Sequence, residues 1–563
     1  MGVSLQNETD AHREAMSIRG DCPVNLQCLP HNQIPHTTRL FLDFLSHSST
    51  LRQFYPRSPI FREWMRDESS LVGYDDARRA RVSAILERQN RAWGSSGKTL
   101  TNVERLRHGA LAAVTGQQVG LFGGPLFSIF KALTSVKLAE EATNAGVDCV
   151  PVFWLATEDH DLAEINHVSL LSAQGLPERF ATESHGVADA PVGSIVFGRE
   201  IESVVARAVA LLGESEPVVW LRESYRTGET LGGAFARLFA RIFADWGVIL
   251  LDPSDKQIHQ VVKPILRAAL ERAPELDDAL LSRGKALEAA GYHQQVKVTP
   301  ASTLLFEVRN GARMVVRRRA NGLTEAEFSV GQEKASQRQL LDRLESDPEN
   351  FNPNVLLRPV VQDYLLPTLT YTGGAAEVAY FAQVGVVYEK LLGRVTPVLP
   401  RFSATLLEPK AERILTRYKL SLPDLFHGIE TVTEAMARLS LPADLQQRFS
   451  DAYAGAEKSM TTLRDAIDKL DPTLVRSSDR ARMRMWHQIN SLHRRAARAE
   501  LFRNEVIVRH AETVCGSLVP HKVLQEREIG GISFLAHYGR ELLTTIYEAI
   551  HTDCHDHRII SLA

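Results

Sequence analysis

The chain has 563 residues, 44% of them hydrophobic and 24% charged, and its 65 basic and 68 acidic side chains leave a net charge of -3. That length exceeds what one hydrophobic core usually serves, so two or more compact units are expected, and the composition excludes a mainly disordered or fibrous chain. Near-neutral charge gives no chain-wide attraction to nucleic acid or anionic lipid, and no apolar run nears the roughly 20 residues that span a bilayer. The polar start MGVSLQNETD lacks a secretory apolar stretch, and Gln6 stands where myristoylation wants Ser or Thr. Cys22, Cys28, Cys149, Cys515 and Cys554 are scattered without a C-x-x-C pair, which argues against a disulfide framework and against a structural metal. The expectation is a cytoplasmic protein with neither a nucleic-acid nor a membrane partner.

The first hundred residues read as an irregular, helix-rich lead-in. From Ala110 the run ALAAV enters the turn TGQQVGLFGGP, and Pro125 opens a helix with Leu126, Ile129, Phe130 and Leu133 on one face. Asn144 and Gly146 mark its end, and VDCVPVFWLA (147–156) follows, apolar nearly throughout as in a strand buried on both faces. This is a βαβ unit. A second unit pairs the helical stretch 231–245 with WGVILLDPSD (246–255), and a third spans 368–402 with a Gly-Gly turn between strand and helix.

Between these pieces, STLLFEVRNGARMVVRRR (302–319) is two alternating runs joined by Asn310-Gly311, a hairpin signal. The expected organisation is a core in three parts, 1–173, 218–290 and 351–407, separated by insertions at 174–217 and 291–350. From 408 to 512 breakers are few, and Leu445, Phe449, Ala452, Ala456, Met460, Leu463, Ile467 and Leu470 recur at the spacing of a coiled-coil seam. Pro472 ends that helix, and the next can return antiparallel as a hairpin arm, leaving Trp486, Ile489, Phe502 and Ile507 for a partner arm to cover. Residues 513–563 return to the core.

Three clusters carry chemistry. The turn between strand and helix, Thr115, Gly116, Gln117, Gln118 and Gly120, suits a phosphate or carboxylate through backbone N–H groups and the helix dipole, and it is neither a Walker A loop nor G-x-G-x-x-G. ATEDHDLAEINH (156–167) crowds titratable groups at a strand's carboxyl edge, where ligands bind in parallel sheets. There His160, Glu164 and His167 share a helical face and hold a metal, or a carboxylate such as Glu158 or Asp159 works with His160 in proton transfer. The bland alternative is that Glu158 caps a helix on a solvated surface. In the third cluster, Asn354 and Arg358 suit an anionic group, while Gly373 and Gly374 permit close backbone approach beside Glu377. Here the bland alternative pairs Arg358 with Glu377.

The segments TGQQVGLFGGPLFSIFKALTSVKLAEE, PVFWLATEDHDLAEINHV, NVLLRPVVQDYLLPTLTYTGGAAEVAYF, PVLPRF and LQEREIGG together closely resemble the BshC family, the cysteine ligases of bacillithiol synthesis. The resemblance runs from about residue 30 to the C-terminus. It implies an α/β fold with a Rossmann-like parallel-sheet core, two connecting insertions and a coiled-coil arm through which the family dimerises. It also implies that L-cysteine is joined to the amine of glucosaminyl-malate, with ATP activating the cysteine carboxylate. On this reading His160, Glu158 and Asp159 are catalytic, and Arg358 and Arg401 neutralise carboxylate or phosphate. The other function class is a non-catalytic dimeric scaffold that uses the arm.

Overall fold

The structure is a computed structural model that describes residues 27–183, 189–319 and 327–563, so the polar N-terminus and Cys22 lie outside the described residues. Strand β1 (Leu111–Gln117) runs into helix α1 (Phe127–Asn144), which crosses over to strand β2 (Cys149–Leu155). The two strands pair in parallel from Leu111↔Cys149 to Gln117↔Leu155. Because β2 is buried along its whole length, its sequence is apolar without alternation.

Helix α2 (Leu162–Ile165) is a single turn after β2, and helix α3 (Leu231–Ile242) leads to strand β3 (Ile249–Leu251) and helix α4 (Lys256–Glu271). Strands β4 (Ser302–Arg309) and β5 (Ala312–Arg319) form the hairpin, with Asn310 and Gly311 both at positive φ, as a tight two-residue turn requires. Strands β6 (Glu327–Val330), β7 (Glu333–Ser336) and β8 (Phe351–Pro353) complete a five-stranded antiparallel sheet in the order β7-β6-β5-β4-β8. Helix α5 (Arg358–Leu365), strand β9 (Thr368–Gly373), helix α6 (Ala375–Leu391) and strand β10 (Val398–Pro400) close the parallel system.

The parallel sheet has five strands in the order β10-β9-β1-β2-β3. Successive strands step one way from β1 to β3, and the chain then returns to add β9 on the other side of β1. The order reverses at β1, and such reversals open a crevice at the carboxyl ends of the strands. Register sets which residues meet there: Thr372 pairs with Thr115, Gly373 with Pro400, and Gln117 with Leu155.

The chain divides into two compact units. The first holds both large sheets and runs up to Leu171, then Glu178–Thr405 and Glu526–Ile560. The second is Ser172–Pro177, Leu406–Gln525 and Ser561–Ala563. In this second unit helices α7 (Ala443–Leu470) and α8 (Val475–Arg503) form the expected long hairpin, with a 3-10 turn at Pro472–Leu474 between them. Along the seam Phe449, Ala456 and Met460 are buried, while Leu463 and Leu470 are 51% and 81% exposed. On α8 Trp486 is 43% exposed and Phe502 92%. Ile507 departs from its expected exposure: it lies past a break at Asn504, in helix α9 (Glu505–Leu518), and is fully buried. Among the described residues no helix is long and apolar enough to cross a membrane.

Candidate active site

A cleft of about 570 Å³ opens at the carboxyl edge of the parallel sheet, where β1, β2 and β9 end. One wall is cationic. Lys131, on the first turns of α1, is buried, and its Nζ donates to the Gly116 carbonyl at 2.8 Å and the Gln117 Oε1 at 2.9 Å while pairing with Glu377. Burial holds its pKa below the usual lysine value, against the pull of Glu377. Glu377 moves the other way: burial raises its pKa, but Lys131, the Tyr371 hydroxyl and the Gly374 N–H together hold it below the usual carboxyl value. The Tyr371 hydroxyl donates to Glu377 Oε1 at 2.5 Å, and the Gly374 N–H donates to Oε2 at 2.7 Å.

Arg358 opens α5 in the same wall and meets tyrosines in place of a carboxylate. Its Nη2 donates to the Tyr380 hydroxyl at 2.8 Å, and its Nη1 donates to Gln362 Oε1 at 3.2 Å. Burial alone would lower its pKa, but Tyr380, Tyr371 and Glu377 more than reverse that, so its charge is secure. The N-terminus of α6 faces the same space, with Gly374, Ala375 and Ala376 lining the cleft. First-turn N–H groups have no partner within their helix, and the helix dipole adds positive potential there.

The opposite wall carries acids and a histidine. Glu158 is 8% exposed, and its Oε1 accepts from Asn352 Nδ2 at 2.6 Å and lies 3.0 Å from His259 Nε2. Burial would lower the pKa of His259, but its bond and charge contact with Glu158 prevail and raise it. Asp159 Oδ1 accepts the His160 backbone N–H at 2.8 Å, and Gln118 Nε2 donates to Asp159 Oδ2 at 2.8 Å and Glu164 Oε2 at 2.9 Å. Arg313 reaches in from β5 and stacks over Phe306 of β4 at 3.9 Å.

Most residues singled out in the sequence converge here. Gly116, Gln117, Gln118, Glu158, Asp159 and His160 line the cleft, as do Asn354, Arg358, Gly374, Glu377 and Arg401. Thr115 and Gly373 are buried strand residues beneath it, the Thr115 hydroxyl donating to the Thr372 carbonyl at 2.9 Å. Gly120 lies outside the lining. The turn 120–124 is packed shut, with Tyr225 bridging the Gly123 N–H and the Gly120 carbonyl, and the Leu126 N–H is taken by the Ile529 carbonyl at 2.8 Å. Backbone from Ile529 to Gly531 therefore covers the start of α1, where an open anion site was expected; a Cβ on Gly531 would meet Ile129 at 2.5 Å.

The structure bears on two further sequence readings, a metal alternative and the role of Arg401. His160, Glu164 and His167 do not share a helical face, because α2 is one turn long, His160 precedes it and His167 opens the next strand. Among the described residues no group of three or more His, Cys, Asp or Glu is arranged to hold a metal ion. Arg401 lines the cleft, but its Nη2 lies 2.5 Å from Glu526, so its charge is partly committed inside the protein.

Sequence reasoning missed Lys131, Arg313, Tyr371, Tyr380, His259 and Arg527. Lys131 had a signal, as a lone cation within the apolar start of a core helix. Arg313 had none, because it stands in a hairpin among several arginines that the chain alone does not rank.

Two family models cover nearly the whole chain. The one described as "Bacillithiol biosynthesis BshC, N-terminal Rossmann-like domain" matches residues 25–402, and "Bacillithiol biosynthesis BshC, C-terminal coiled-coil domain" matches 404–562. Similar proteins come from Koribacter versatilis (strain Ellin345), 48% identical over 95% of this chain and 99% of that protein, and from Solibacter usitatus (strain Ellin6076), 36% identical over 95% and 100%. A third, from Salinibacter ruber (strain DSM 13855 / M31), is 32% identical over 93% of this chain and 96% of its own. All three carry the name "Putative cysteine ligase BshC".

Proposed function

The chain belongs to the BshC family, and we propose that it joins L-cysteine to the amine of glucosaminyl-malate to form bacillithiol in the cytoplasm, with ATP activating the cysteine carboxylate. The observation that carries this reading is a single cleft lined both by cations, Arg313 and Arg358 among them, and by the acids Glu158, Asp159 and Glu164. Amide formation brings together an anionic carboxylate, with its phosphate-type activating group, and an amine that arrives as an ammonium. Arg358 and the start of α6 suit the anions, since a guanidinium and oriented N–H groups bind carboxylate and phosphate oxygens. Glu158, Asp159 and Glu164 suit the ammonium and accept its proton once the lone pair is needed. Trp154, Phe306 and Pro353 give the remaining surface an apolar character that excludes water from the reacting carbonyl.

The test is to incubate purified chain with cysteine, glucosaminyl-malate and ATP and to follow bacillithiol and the released nucleotide by mass spectrometry. Product that depends on ATP supports the reading; absence of product under all nucleotide conditions defeats it. The exposed apolar side chains of α7 and α8, Leu463, Leu470, Met483, Leu492 and Phe502, support a homodimer formed through the arm. Replacing 408–512 with a short Gly/Ser bridge should convert a dimer to a soluble monomer by light scattering.

A further inference from the structure

The Arg313 guanidinium is held independently of the histidine beside it. Its Nη2 donates to the Pro353 carbonyl at 2.7 Å, its plane lies 3.9 Å from the Phe306 ring, and its backbone N–H donates to the Asp189 carbonyl at 2.9 Å. The side chain is 7% exposed. From this position Nη1 stands 3.1 Å from His160 Nδ1.

A guanidinium has N–H donors and no acceptor. The contact is a hydrogen bond only if Nδ1 presents its lone pair; a proton on Nδ1 of the neutral ring would set two donors against each other, and a doubly protonated ring would add a second positive charge. Asp159 Oδ1 lies farther off, 3.6 Å from Nδ1, beyond hydrogen-bond distance, and stands 3.8 Å from Arg313 Nη1 while accepting the His160 backbone N–H. In a neutral imidazole with Nδ1 free of hydrogen, the proton sits on Nε2. The ring lines the cleft, and among the described residues nothing else bonds Nε2.

We propose that Arg313 is a positioning residue that fixes His160 as the Nε2–H tautomer, making His160 a hydrogen-bond donor to the reacting carbonyl oxygen and not the general base. This rests on the ligase reading for its chemistry. In the amide-forming step the amine lone pair bonds to the activated cysteinyl carbon, negative charge builds on the carbonyl oxygen, and the C–O bond to the phosphate leaving group then breaks with its electron pair. The proton shed by nitrogen passes to a carboxylate of the same wall. A donor aimed at that oxygen lowers the barrier, as oxyanion-hole donors do.

Two measurements decide it. In full-length protein carrying ¹⁵N-labelled histidine, the His160 signal, assigned by its loss in His160→Gln, should show an unprotonated Nδ1 and a protonated Nε2; Arg313→Met should release the preference and give both tautomers. A protonated Nδ1 in the unmutated protein overturns the proposal, and this readout needs no substrate. In the product assay His160→Gln, which carries an N–H near the Nε2 position, should retain at least about tenfold more activity than His160→Ala, since one such donor is worth on the order of a hundredfold. Equal activity of the two variants overturns the donor role. Failure of the unmutated chain to form product counts against the ligase reading and leaves the imidazole spectrum to decide the tautomer.

Discussion

Two glycine turns join strand to helix in the parallel sheet, and they do opposite things. The first, Gly120 to Gly124 between β1 and α1, is buried: Gly123 and Gly124 adopt positive φ, and the Cα of Gly124 sits 2.9 Å from where a Cβ on Gly120 would be. The second, Gly373-Gly374 between β9 and α6, keeps its far end in the cleft, and Gly374 has φ -76°, a value any residue can adopt. Glycine serves close packing in one; in the other the Glu377 carboxylate takes the Gly374 N–H, and Ala375 and Ala376 still line the cleft. An exposed helix start, and not glycine content, makes an anion site.

The largest expected effects come from the walls of the open cleft. Glu158→Gln should lower product formation on the order of a hundredfold or more, because a proton acceptor is lost while the shape is kept. Arg358→Met should cost a comparable factor in kcat/KM, with circular dichroism unchanged; a wild-type rate in either variant would mean that the chemistry lies elsewhere.

The glycines separate by stability rather than rate. Gly120→Ala should destabilise the fold by about 1–3 kcal/mol in urea titration, since its Cβ meets backbone that cannot yield. Gly374→Ala meets Arg401 Nε at 3.5 Å, an ordinary contact, and should stay within about 0.5 kcal/mol of wild type while weakening substrate binding. The reverse pattern would mean that Gly120 is not the tightly packed glycine of the two.

A smaller effect sharpens the contrast between the two turns. The pKa of Glu377 is held below its unfolded value, chiefly by Lys131 working against burial. Such a group adds stability that is fully present above the unfolded carboxyl pKa, about 4.3, and is lost as pH falls through the folded pKa. Glu377→Gln should therefore melt below wild type at pH 7, with the gap narrowing as pH drops below about 4; a gap that stays constant would remove Glu377 from the network beneath the open turn.

Much of this was legible in the chain. VDCVPVFWLA, apolar but for Asp148, gave a buried parallel strand, Asn310-Gly311 gave the hairpin, and the acids after β2 gave part of the cleft lining. What stayed hidden depended on contacts distant in sequence. Nothing local to TGQQVGLFGGP says that Ile529 to Gly531 will cover it, and nothing local to Arg401 says that Glu526 will pair with it. The acid and histidine spacing fitted a helix, but Asp161 caps a single turn whose chain then leaves as a strand. The seam of α7 followed its heptad, yet periodicity reports which face is apolar and not how far along it a neighbour reaches.

Substrate anions should sit at the open turn and not the closed one, which a ligand-bound structure of the full chain with glucosaminyl-malate and cysteine would reveal. A ligand carboxylate is expected within hydrogen-bonding distance of Arg358 and the backbone N–H groups of Ala375 and Ala376, with the sugar amine facing Glu158 and Asp159. A carboxylate seated against Gly120 to Gly124, or ligands bound outside this cleft altogether, would contradict it.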